Sequence, residues 1–282
     1  MSIPSPNPAK PARRPPASLF ALGHAGLPAE VAAQGVTWRF ARLFKHDFFA
    51  ATALYEQRPE TPPATPNPGL ESQDPELQAP GALRRAVLKV QRTHPFYTLP
   101  LRWLGKRVAR HEIRIFQALQ GVPGIPQFLG TVGPTGFLHE FIPGTDLRAK
   151  PPLTPEFFAQ LEKLFTDVHD RQIAYVDSNK RENILLGDDG RPWLIDFQIS
   201  FHLPRGPHAN FLARWTFRRL VRADWYHFYK HKTRLLPAAC TPEDFEKAKK
   251  RGLLHQLHRL ISRPFIVIRR KLLSRYDLAN TR

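Results

Sequence analysis

Cysteine is all but missing: Cys240 is the only one in 282 residues, so no intrachain disulfide can hold the fold and packing must do so. Acids are scarce beside bases. The chain has 24 Asp plus Glu against 42 Lys plus Arg, a net charge of +18, which points to polyanionic partners: phosphates, nucleic acid or anionic headgroups. Long apolar runs are missing too. The longest near the C-terminus is Phe265-Ile266-Val267-Ile268, far below the ~20 residues that span a bilayer. The opening MSIPSPNPAKPARRPPASLF lacks the apolar core of about seven or more residues that a signal peptide needs. The expectation is a reducing, cytoplasmic compartment. What remains is ample: 42% of residues are hydrophobic, enough for two domains or one domain with two lobes.

Proline punctuates the chain. Seven prolines lie within residues 1–28 (positions 4, 6, 8, 11, 15, 16 and 28), so the composition predicts a disordered basic arm, extending to about residue 35. A second proline-rich stretch, 58–82, carries acids and separates two strand-like segments, which reads as a solvated insertion in a hairpin.

Between these stretches the apolar period changes in a fixed order. VTWRFARLF (36–44) and FFAATALYE (48–56) read as strands around a turn at Lys45-His46-Asp47, and AVLKV (86–90) as a short buried strand. LRWLGKRVARHEIRIFQALQ places Leu101, Leu104, Val108, Ile115 and Leu119 at helical spacing and stops at Gly121. FLGTV (128–132) and GFLHEFI (136–142) complete a predicted five-stranded sheet with one helix. The second half opens on a helix with Thr154 as N-cap and Pro155 at its first position. NILLG (183–187) and PWLID (192–196) form a hairpin around Asp188-Asp189-Gly190, and the remainder reads as helical and basic.

Two charges sit where apolar residues belong. Glu112 falls on the apolar stripe of its helix, and Lys89 lies in the buried pattern Val87-Leu88-Lys89-Val90. A buried ion is costly unless paired, so the two residues either meet in the core or lie at its margins. The segment AYVDSNKRENILLGDDGRPWLIDFQIS favours the first. Asp177, Lys180, Asn183 and Asp196 supply a carboxylate for an attacking hydroxyl, a cation for a transferring phosphate, and an amide and a carboxylate for Mg²⁺.

This ordered set resembles the protein-kinase-like superfamily, specifically its bacterial lipopolysaccharide core kinase branch, with RIO-type serine/threonine kinases as more distant relatives. The resemblance runs from about Val36 to Ser200. Ala86-Val87-Leu88-Lys89 looks like the third-strand lysine motif, Glu112 like its helical partner, and Glu140-Phe141-Ile142 like a hinge that meets adenine. Tyr175-Val176-Asp177 stands where kinases have His-Arg-Asp, and Asp196-Phe197-Gln198 where they have Asp-Phe-Gly. The resemblance implies an α+β, two-lobed protein-kinase-like fold. Its small antiparallel five-stranded N-lobe would span 36–142 and its reduced, mainly helical C-lobe 143–282. It implies an ATP- and Mg-dependent kinase in which Lys89, Glu112, Lys45, Glu140 and Ile142 bind the nucleotide, Asn183 and Asp196 hold Mg²⁺, and Asp177 and Lys180 act on the reacting groups.

The departures narrow the acceptor. Asn183 lies six residues after Asp177, one more than usual, and no Gly-x-Gly-x-x-Gly precedes Lys89, so Ala50, Ala51 and Lys45 must manage the phosphates. No Ala-Pro-Glu follows Asp196, which removes the expected peptide platform. Residues 203–282 hold 19 Lys plus Arg and five Asp plus Glu, a net +14, and the stretch 247–273 mixes them with leucines in the manner of a helix lying on an anionic membrane. A solvated cationic face on a packed helix is the alternative there. The favoured acceptor is a sugar hydroxyl of an anionic glycolipid, with a Ser/Thr protein hydroxyl as the alternative. A catalytically inactive nucleotide-binding adaptor and an RNA-associated protein are rival classes, and nucleic acid is the weaker partner because aromatics interleaved with Arg are not evident. Histidines 227, 231, 255 and 258 lack the Cys or acid neighbours of a metal site.

Overall fold

A six-stranded antiparallel sheet opens the fold; counted along the chain, its strands lie side by side in the order first, second, third, fourth, sixth, fifth. In this computed structural model residues 16–57, 83–204, 206 and 209–249 are described, so the expectations for the insertion at 58–82, for the first 15 residues and for the basic segment from residue 250 lie outside the described residues. The strands are β1 (Glu30–Ala33), β2 (Val36–His46), β3 (Ala50–Gln57) and β4 (Arg84–Gln91). Helix α1 (Arg102–Ala118) follows, then β5 (Phe128–Val132) and β6 (Gly136–Glu140). The edge strands β1 and β5 approach each other: a Cβ on Gly130 would stand 3.2 Å from the Ala33 Cβ, so the sheet curls toward a barrel.

The sheet has six strands where the pattern predicts five. The extra strand, β1, comes from the segment that composition assigns to a disordered arm, and it is joined to β2 by the two-residue turn Gln34-Gly35, both at positive φ. Leu19, Ala21, Val31 and Ala33 are buried, so the segment from residue 16 contributes to the core in spite of its prolines. The β2–β3 turn is also displaced. It falls at 47–49 because the Asp47 carboxylate accepts from the Phe49 and Ala50 amides at 2.8 and 3.1 Å, which lets β2 run on to His46.

The rest is shorter strands among helices. β7 (Gly144–Asp146) precedes α2 (Pro155–Asp170) and β8 (Ile173–Ala174), and it joins β9 (Ile184–Gly187) and β10 (Pro192–Leu194) in a three-stranded sheet. β11 (Phe201–His202) pairs with β8. Helix α3 (Phe211–Leu235) and the short α4 (Pro242–Lys249) close the described chain. The expected cap is in place: the Phe157 amide donates to the Thr154 hydroxyl at 3.3 Å. The architecture is α+β, with every strand pairing antiparallel and four α-helices among the described residues.

Two apolar clusters organise the packing. One lies on a face of the large sheet around Trp38, Tyr55, Leu88 and Leu138. The larger runs from Phe116 and Phe137 through the α2 phenylalanines to Ile184, Phe197 and Phe228, and the charged residues of interest lie beside it. Helix α1 is seated tightly on β4, since a Cβ on Gly105 would come within 1.9 Å of the Arg92 carbonyl oxygen.

Candidate functional site

Lys89 occupies a central strand, and its side chain is drawn to the face covered by α1. Its ammonium donates to Glu112 Oε1 and to Asp196 Oδ1, each at 2.7 Å. Glu112 is fully buried, and its other oxygen accepts from Gln91 Nε2 at 2.8 Å. Three elements far apart in sequence therefore meet at one cation. Burial alone pulls Lys89 down, but the two carboxylates outweigh it and its pKa is raised. Burial pushes the Glu112 carboxyl up to about 7 against the pull of Lys89, whereas for Asp196 the burial penalty is overcome by Lys89 and the value falls to about 2.

The second half of the cluster is built on a strained turn. The Asp177 amide donates to the Tyr175 carbonyl at 2.8 Å around Val176, whose φ of 69° and ψ of −43° make this the rarer, strained form of γ-turn. A β-branched residue at positive φ costs free energy unless its surroundings enforce it. The enforcement comes from Asp224 on α3. Its carboxylate, wholly buried, accepts from the amides of Tyr175 (2.8 Å) and Val176 (2.9 Å), from the Ser178 hydroxyl (2.8 Å) and from His169 Nε2 (3.2 Å). His231 Nε2 adds a bond to the Ser178 carbonyl at 2.8 Å, and burial keeps that imidazole neutral by lowering its pKa to about 4.

So presented, Asp177 Oδ2 accepts from Lys180 Nζ at 2.6 Å and from Asn183 Nδ2 at 3.0 Å. The amide nitrogen of Asn183 is thus committed to Asp177. Its carbonyl oxygen is the group left to act as a ligand. Burial raises the Asp177 pKa more than Lys180 and Asn183 lower it. Tyr175 ties the loop to the neighbouring strand, donating its hydroxyl to the Ile195 carbonyl, and the Ile195 amide donates to the Asn183 carbonyl at 3.0 Å. Asp196 then takes φ of 64°, so both acids sit on or beside left-handed backbone. The Asp196 side chain keeps 33% of its surface and is the acid of the buried cluster that faces outward.

The remaining expected residues are placed less tightly. Lys45 pairs with Thr52 and Thr52 with Lys89 across β2, β3 and β4, which puts Lys45 on the row and face of Lys89, two strands or about 10 Å away. Its ammonium lies 2.7 Å from Asp47 and makes no contact with the cluster. The turn beyond it is clamped by Arg92, which donates to the carbonyls of Phe48 and Ser18 at 2.7 Å and lies 4.1 Å from the centre of the Phe48 ring. The Glu140 carboxylate accepts from the Gln127 amide at 3.1 Å, and its carbonyl accepts from His139 Nδ1 at 2.8 Å. Burial lowers the His139 pKa to about 4, so this ring is neutral. Ile142 is buried and lies two residues beyond the end of β6.

Asp224 and Arg92 are the residues that sequence reasoning misses. Asp224 is the only acid in α3, set among arginines and aromatics, and that isolation is the signal that points to it. Among the described residues no group of three or more His, Cys, Asp or Glu could by itself hold a metal ion. The oxygen donors of the cluster that could serve a metal ion are the side-chain carbonyl of Asn183 and the Asp196 carboxylate. No family model matches the chain, and no curated protein matches it.

Proposed function

We propose that the chain is an ATP- and Mg²⁺-dependent phosphotransferase of two-lobed protein-kinase-like architecture that passes the γ-phosphate to a hydroxyl. The observation that carries this reading is Lys89, a buried cation held between Glu112 and Asp196 beside the Asp177-Lys180-Asn183 group. Such a convergence has little structural value for its cost, because a well-packed apolar trio is at least as stabilising as a buried ionic one. Strained backbone at both Val176 and Asp196 supports the same reading, since strain of that kind concentrates at sites that do chemistry.

In this mechanism Lys89, oriented by Glu112, binds the α- and β-phosphates and exchanges its contact with Asp196 for phosphate oxygens. Asn183 and Asp196 would hold Mg²⁺, which when bound would neutralise phosphate charge. Asp177 accepts the hydrogen bond of the acceptor hydroxyl and orients it in line with the γ-phosphorus. Lys180, half exposed, stabilises charge on the phosphoryl oxygens as they depart. The backbone of residues 140–142 receives the base.

The favoured acceptor is a sugar hydroxyl of an anionic, lipopolysaccharide-like glycolipid. The absence of an Ala-Pro-Glu segment after Asp196 and the cationic second half of the chain support this over a protein side chain. Labelled ATP offered with envelope glycolipid and protein fractions tests both levels. Transfer that requires Mg²⁺ and is lost in Asp177→Asn is expected. Absence of ATP binding and hydrolysis with Mg²⁺ present would overturn the phosphotransferase reading, and transfer to Ser/Thr protein alone would overturn the acceptor.

A further inference from the structure

Helices α1 and α3 share an unusual composition. Each contains a single acid, Glu112 in one and Asp224 in the other, and both acids are buried and bonded inward. The charge on their outward faces is therefore of one sign. In α1, Arg107, Arg110 and Arg114 are exposed at spacings of three and four residues, and in α3 Arg214, Arg218 and Arg222 are exposed at intervals of four. Each cationic stripe begins at an exposed apolar tip. Leu99 (58% exposed) and Trp103 (62%) precede the first, and Phe211 (77%) and Leu212 (65%) the second. Trp215 lies among the α3 cations, with Arg219 5.4 Å from its ring centre. The two helices flank one segment: His111 of α1 bonds the Ser200 carbonyl at 2.7 Å, and α3 packs against β11 directly after it. Ile199, at the head of that segment, is 53% exposed.

We infer that the apolar tips and arginine faces of α1 and α3 form a surface that seats the protein on an anionic lipid bilayer. The choice of occupant follows from the aliphatic residues. A nucleic acid would reward the arginines and the aromatic rings but gains nothing from burying Leu99, Leu212 or Ile199. A bilayer interface takes all three classes: aliphatic side chains into the acyl boundary, Trp at headgroup level and Arg on anionic phosphates. The surface differs from the basic segment after residue 249 and stands whether or not the protein transfers phosphate.

The test uses the full chain, in which residues 250–282 contain no tryptophan. The probes are phosphatidylcholine vesicles with and without phosphatidylglycerol, carrying brominated acyl chains that quench tryptophan at the acyl boundary. Binding is expected only with phosphatidylglycerol, with quenching that falls in Trp103→Phe and again in Trp215→Phe. Replacing Arg107, Arg110 and Arg114 by Gln should weaken binding by roughly tenfold or more. Binding without quenching at both tryptophans would show that another segment reaches the membrane, and would overturn the inference. So would displacement from the vesicles by single-stranded RNA at equal phosphate concentration with no loss on Leu99→Ser and Leu212→Ser.

Discussion

Asp224 lends itself to the sharpest quantitative test, because one buried carboxylate serves four donors. Replacing it by Asn keeps one acceptor oxygen and turns the other into a donor that faces an amide or an imidazole N–H. One buried N–H left without a partner costs about 1–3 kcal/mol. The bonds at Tyr175 and Val176 also hold the γ-turn, whose strain is on the order of 1–3 kcal/mol and would then relax. Part of the bonding loss is therefore recovered by relaxation, and Asp224→Asn should cost about 2–4 kcal/mol, a large share of the ~5–15 kcal/mol of a typical domain. Urea denaturation followed by tryptophan fluorescence should show a midpoint lower by on the order of 1 M. Phosphate transfer should fall further than stability does, since a relaxed Val176 swings Asp177 away from Lys180 and Asn183. A variant with the wild-type midpoint would refute the idea that Asp224 enforces the turn.

Further outcomes follow from other contacts. Lys89→Met leaves Glu112 and Asp196 without their cation and should destabilise by about 3–5 kcal/mol while abolishing transfer; equal stability in a thermal melt would contradict the ion-pair account. The Glu112 pKa is raised to about 7, so its favourable contribution is complete below the unfolded value of 4.5 and is lost as pH rises through 7. The stability difference between wild type and Glu112→Gln should accordingly shift toward the wild type between pH 8 and pH 5, and an unchanged difference would count against burial as the cause. Asp196 behaves in the opposite sense, contributing above pH 3.8 and losing that contribution as pH falls through about 2. Gly105→Ala should destabilise in spite of the better helix propensity of Ala, because the new methyl meets the Arg92 carbonyl and not a movable side chain. Gln57 pairs directly with Arg84, so exchanging the stretch after Gln57 for a short Asn-Gly turn should leave the sheet intact and, by loop-closure entropy, add about 1–2 kcal/mol; a loss of transfer would show that the stretch takes part in function.

Elements with strong periodicity are legible in the amino-acid order itself. β2, β3, β4 and α1 carry bulky residues at fixed spacing, and Lys89 and Glu112 stand out as charges inside apolar patterns. β1 escapes for a physical reason. Its buried residues are Val31 and Ala33, small groups with a weak period, and Gln34-Gly35 is a fainter hairpin signal than Asn-Gly. The second partner of Lys89 escapes in part: the order of motifs assigns Asp196 to Mg²⁺, and only the fold brings it across 107 positions to the ammonium. Asp224 and Arg92 are compensated by backbone donors and acceptors, which nearly every residue possesses and no sequence pattern displays.

Arg92 has a consequence for motion at the tip of the sheet. The Ala21 amide donates to the Asp47 carbonyl, and the amides of Thr93 and His94 donate to the Ala21 carbonyl. The β2–β3 turn, the segment from residue 16 and the end of β4 thus share one guanidinium and one backbone stitch. Opening any of the three breaks bonds in the other two. Amide hydrogens of Ala21, Phe49, Thr93 and His94 should therefore exchange with solvent at a common rate set by a single opening event. A turn fastened in this way cannot fold down as a mobile flap does; on the phosphotransferase reading proposed above, ATP would enter and leave beneath a fixed roof, its residence time governed by the phosphate contacts at Lys89.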